Sequence, residues 1–89
     1  MQHKQSPLKK DLQKKKKISR LVLFNDDVNT FDHVIDSLII YCNHTEEQAE
    51  QCAWITHLKG KCTVKEGEYE ELKSMATALS EEGLSIEIY

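Results

Sequence analysis

No apolar stretch in this chain approaches the roughly twenty residues that a membrane-spanning helix needs. None follows the basic start closely enough to serve as a secretory signal, so the protein is expected in the cytoplasm. A disulfide framework is excluded on related grounds. The three cysteines, Cys42, Cys52 and Cys62, are an odd number without a secretion signal, and they read as reduced, mostly buried thiols. Zinc-ligand spacing is also missing. Neither these cysteines nor His33, His44 and His57 form a C-x2-4-C or H-x3-5-H pair, so no metal is expected. Asp26, Asp27 and His57 are compatible with acid-base chemistry. They are accompanied by no nucleophile elbow, phosphate loop or metal pair, so the chain reads as a binding protein without a cofactor rather than an enzyme.

Basic residues are scarce after position 20. Residues 21–89 contain four lysines against fourteen acids, whereas residues 1–20 carry eight basic residues against Asp11 alone. The chain is a basic arm, 1–20, on an acidic domain, 21–89. The arm has almost nothing apolar to bury, and the mutual repulsion of Lys14, Lys15, Lys16 and Lys17 favours solvated, extended states, so it is expected to be largely disordered. Such an arm could serve a nucleic-acid- or ribosome-associated protein. Against this stand the acidic domain and its few aromatics, which are expected mostly on buried faces rather than in a stacking platform.

Within the domain, Leu21 to Phe24 has the content of a buried strand, and Asn25-Asp26-Asp27 is turn chemistry that could simply end it. Phe31, Val34, Ile35, Leu38 and Cys42 then recur at helical spacing, with Thr30 as N-cap. Thr45-Glu46-Glu47-Gln48 fits a capping box that opens a second helix, whose small inner face is Ala49, Cys52, Ala53 and Thr56 and which Gly60 stops. Cys62 and Val64 alternate with polar residues as a short strand. Tyr69, Leu72, Met75, Ala76 and Leu79 mark a third amphipathic helix, and Gly83 is suited to its C-terminal turn. Leu84, Ile86 and Ile88 alternate in a last strand. The order β-α-α-β-α-β predicts an α+β domain, a small three-stranded antiparallel sheet covered by three helices.

With these elements placed, the segments LVLFNDDVNTFDHVIDSL (21–38) and WITHLKGK (54–61) resemble the ClpS family of Clp protease adaptors. The resemblance rests on Asn25-Asp26-Asp27 at a strand end, Val34 to Leu38 in the first helix, and Thr56-His57-Leu58-Lys59-Gly60-Lys61 at the end of the second. It implies a bacterial, cytoplasmic, monomeric adaptor. Such an adaptor binds N-degron proteins whose first residue is Leu, Phe, Tyr or Trp and delivers them to a ClpA-type AAA+ unfoldase working with ClpP. A free N-terminus is an ammonium with three N–H donors, and recognition requires acceptors converging on it. By position, the resemblance assigns that cage to Asn25, Asp27 and His57, with Asp26 ranked lower because adjacent side chains of an extended segment point to opposite sides. It assigns the walls of the first-residue pocket to Asn29, Phe31, Ala53, Thr56 and Leu84. Glu68, Glu71 and Lys73 are the corresponding candidates for unfoldase docking, and the arm for engagement by the unfoldase.

This chain departs from the family pattern inside the pocket. Asn29 stands for the usual Thr, Thr30 for Pro, Phe31 for a gatekeeping Met, Ala53 for a Met that narrows many family pockets, and Thr56 for Val. Replacing a long thioether by a methyl opens volume. The expected consequence is an altered ranking of apolar first residues, with Trp or Ile better tolerated.

Overall fold

The computed structural model describes residues 17–89. Six elements follow one another as β1 (Ser19–Phe24), α1 (Phe31–Cys42), α2 (Glu46–Lys59), β2 (Lys61–Gly67), α3 (Tyr69–Glu81) and β3 (Ser85–Ile88), the expected order. The local signals explain the boundaries. Thr30 caps α1 by accepting the His33 amide, and Asn43, in the left-handed region at φ 60°, ends it. Thr45 and Gln48 complete both halves of the capping box on α2. Gly60, at φ 95°, stops α2 in a conformation that a Cβ would strain.

The sheet has strand order β2-β1-β3, with β1 antiparallel to both neighbours. Strand β1 begins two residues earlier than its apolar run suggests. Ser19 pairs with Gly67 and Arg20 with Glu66, so both belong to the sheet rather than to the basic arm. The remainder of the arm, residues 1–16, lies outside the described residues. A bulge between Leu21 and Val22 lets β2 carry an extra residue past β1.

Leu21 and Leu23 of β1 pack with Val64, Leu38, Cys42, Ala49, Leu72, Leu79 and Leu84 in one core between sheet and helices. Cys42, Cys52 and Cys62 are free thiols. Burial pushes Cys42 up to about 11, and burial with the neighbouring Cys62 thiol pushes Cys52 up to about 12, so both are held as protonated thiols. Two expectations about aromatics are corrected. Tyr69 is half exposed rather than buried in the α3 face, and Trp54 is likewise more than half exposed, whereas Tyr89, on the polar side of the last strand's alternation, is exposed as expected. These large rings sit at helix starts, strand ends and helix outer faces, where the core beneath is already filled by smaller residues. Among the described residues, no helix is long and apolar enough to cross a membrane.

Candidate functional site

The end of β1 is drawn to the end of α2 by one backbone bond: the Asn25 amide donates to the Gly60 carbonyl at 2.9 Å. This bond, continuing the pairing of Phe24 with Lys61, places the Asn-Asp-Asp turn beside His57, thirty-odd residues away in the chain. Between the turn, the first residues of α1 and the last turns of α2 lies a concavity of about 310 Å³. That volume is at the lower end of the roughly 300–1,000 Å³ typical of small-ligand sites.

All nine residues assigned from the sequence to the cage and pocket line this concavity: Asn25, Asp26, Asp27, Asn29, Phe31, Ala53, Thr56, His57 and Leu84. Their situations differ. Ala53, Thr56 and Leu84 are buried at 4–5% exposure and form its apolar base. Asn25, Asp27 and His57 are exposed. Among the described residues their side chains take part in no hydrogen bond, which leaves a carboxylate, an amide and an imidazole available at the mouth.

Asp26 is employed differently. Its Oδ1 accepts the amides of Val28 and Asn29, each at 2.9 Å, while Oδ2 accepts Asn29 Nδ2 at 2.8 Å and Ser85 Oγ at 3.2 Å. Asn29 Nδ2 also donates to the Gly83 carbonyl at 3.0 Å. The loop is thereby clamped to the α3–β3 turn, whose next residue, Leu84, lines the pocket. The Asn29 amide bond is the main reason the Asp26 carboxyl is held below its ordinary value, against a smaller opposing effect of burial. With its acceptor positions so occupied, Asp26 organises the loop rather than facing the mouth.

The Thr56 hydroxyl donates to the Cys52 carbonyl at 2.7 Å, the back-bonding common for Thr within helices, so its proton is not offered to the cavity. Three lining residues, Leu23, Phe24 and Val34, were absent from the sequence-based assignment. Leu23 and Val34 carried only the periodicity of core residues, which does not distinguish a pocket floor from a filled core. Trp54 was missed as well. It packs edge-on against Phe31 with ring centroids 4.7 Å apart, and Phe31 in turn lies 5.7 Å from His57. Its position three residues before His57 on one helix was the available signal.

Glu68, Glu71 and Lys73 stand away from this site. They lie near the start of α3, whereas the end of α3 leads into Leu84. At roughly 1.5 Å per helical residue, the two ends are separated by roughly 20 Å. Lys73 borders a shallow groove against β3 that also includes Tyr69 and Ile88. The chain enters β1 at this same end, because Ser19 pairs with Gly67.

The site is thus a polar mouth on an apolar pocket at a strand-to-helix turn. Residues 14–87 match the family described as "ATP-dependent Clp protease adaptor protein ClpS", and the chain belongs to that family. Among solved structures, the fold is similar to that of Agrobacterium tumefaciens ClpS2 bound to L-phenylalaninamide. That similarity has a TM-score of 0.75 at 22% identity and covers 82% of this chain and 95% of that one. No curated protein sequence matches this chain.

Proposed function

We propose that this ClpS-family chain is a cytoplasmic adaptor that binds proteins by a free N-terminal Leu, Phe, Tyr or Trp. It would deliver them to a ClpA-type AAA+ unfoldase working with ClpP. The observation that carries this reading is the juxtaposition of Asn25, Asp27 and His57, whose side chains make no hydrogen bond among the described residues, with an apolar concavity based on Ala53, Thr56 and Leu84. Asp27 supplies the charge opposing an ammonium, Asn25 an amide oxygen that also orients the peptide backbone, and His57 an acceptor through its unprotonated ring nitrogen. Burying a Leu or Phe side chain contributes roughly 1.5–3 kcal/mol. Hydrogen bonds to a charged group contribute a similar amount. Several such terms together bring micromolar binding, about −8 kcal/mol, within reach. An adaptor binds and releases without chemistry, which suits a site that pairs the available Asp27 carboxylate with an apolar socket. Glu68, Glu71 and Lys73, at the far end of α3, are assigned to the unfoldase, so that substrate and unfoldase are held at separate ends of the domain.

The test is binding of a fluorescent peptide beginning with Phe, beside the same peptide acetylated at its N-terminus and one beginning with Glu. The free Phe peptide is expected to bind alone, and Asp27→Ala to weaken it roughly ten- to a hundredfold. Equal binding of the acetylated peptide would overturn the ammonium cage.

A further inference from the structure

The pocket uses Ala53, Thr56 and His57 of α2 and leaves one large neighbour on that helix unexplained. Trp54 is 54% exposed, yet it is not a detached surface residue. Its ring meets Phe31 at 4.7 Å and 68°, and His57 at 6.1 Å and 78°, while Phe31 meets His57 at 5.7 Å and 76°. The three rings form a closed cluster in which each pair is edge-to-face, the arrangement that aromatic quadrupoles favour. Two of its members line the concavity and the third stands behind them.

We propose that Trp54 is a positioning residue that sets the width of the pocket by holding the Phe31 ring against its open side. The inference rests on the N-terminal-residue binding proposed above. Phe31 is the first residue of α1 and lines the concavity together with Val34 of the same helix. Inside the cavity α2 meets that ring through His57 alone, at 5.7 Å, since Thr56 is engaged by Cys52 and Ala53 ends in a methyl. Trp54, one residue beyond Ala53, reaches it from outside. The consequence is selectivity: a fixed ring admits a Leu or Phe side chain, unbranched at Cβ, and resists a chain branched at Cβ, which is broad next to the backbone. A ring free to swing outward resists it less.

The experiment measures dissociation constants of peptides beginning with Leu and Ile for the wild-type chain, Trp54→Ala, Trp54→Phe, Phe31→Ala and the Phe31→Ala/Trp54→Ala double variant. Trp54→Ala is expected to reduce the preference for Leu over Ile about three- to tenfold, the worth of its edge-to-face pair with Phe31. Trp54→Phe is expected to restore most of it. In the Phe31→Ala background, removing Trp54 should change the ratio no further, because its effect runs through Phe31. If wild-type protein binds the Leu peptide but Trp54→Ala weakens both peptides equally or leaves their ratio unchanged, the positioning role is overturned and the binding reading stands. If wild-type protein binds neither peptide, the binding reading falls and this inference with it.

Discussion

Helices α2 and α3 are of nearly equal length but face the core in opposite ways. Helix α3 follows the usual rule: Leu72 and Leu79 are completely buried, while Glu70, Glu71 and Lys73 face solvent. Helix α2 inverts it. Its buried residues are Ala49, Ala53 and Thr56, while Trp54, Ile55 and Leu58 are 41–72% exposed. A helix that buries methyl groups gains little from the hydrophobic effect and must be held by other means, here the Thr45–Gln48 capping box and the immediate return into β2. In exchange it leaves a hollow over Ala53, with Trp54 at the edge of that hollow against Phe31. The stabilising helix and the site-forming helix are therefore different elements, and substitutions should separate them.

The largest expected effect tests the stabilising side. Leu72→Ala removes a fully buried side chain that packs against β1 and should cost about 2–5 kcal/mol of unfolding free energy, read by urea denaturation. The protein that remains folded should bind a Phe-first peptide with unchanged affinity. A lowered affinity in that folded fraction would show that α3 shapes the pocket as well as supporting it.

How legible each helix was in the sequence follows the same division. The apolar period of α3 and α1, the capping box of α2, and the stops at Gly60 and Gly83 are local features, and the element order could be read from them. The nine residues that the family motif assigned to a candidate cage and pocket all line one cavity. What was hidden depends on residues far apart in the chain. The Asp26 bond to Ser85 and the Asn29 bond to Gly83 span 59 and 54 positions, and no local pattern in the sequence signals either. The exposure of Trp54 was concealed for a related reason. Aromatic residues are ordinarily read as core, and only the packing of Ala49 and Ala53 beneath the helix shows that no room was left for it.

The long-range clamp has a pH signature. The folded-state value of Asp26 lies below its ordinary 3.8, so its stabilising contribution is complete above that value and is lost as pH falls through the lower folded value. Stability should therefore decline more steeply for the wild-type chain than for Asp26→Asn as pH is lowered from 5 toward 2.5. The expected difference is small, since these hydrogen bonds are partly solvated. Identical slopes would mean that the carboxylate contributes equally to folded and unfolded chains. Near neutral pH, Asp26→Asn should loosen the loop and weaken peptide binding less than Asp27→Ala, because one residue shapes the mouth and the other faces it.

The smallest expected effect bears on the inverted helix alone. Ala53 is 4% exposed at the base of the cavity, and its methyl leaves space that a longer side chain would fill from below, opposite the Phe31 ring. Ala53→Met adds a flexible thioether that can fold along α2, so the overall fold should persist with a stability change under about 1.5 kcal/mol. Affinity for Leu-first peptides should hardly move, whereas Trp- and Ile-first peptides, which need depth or breadth, should lose several-fold. The comparison is best read as the ratio of Leu to Trp and Ile affinities, since a ratio cancels any general loss of folded protein. An unchanged ranking would mean that the hollow over Ala53 does not accommodate the first side chain, and that selectivity resides in the aromatic wall of Phe31 and Trp54 alone.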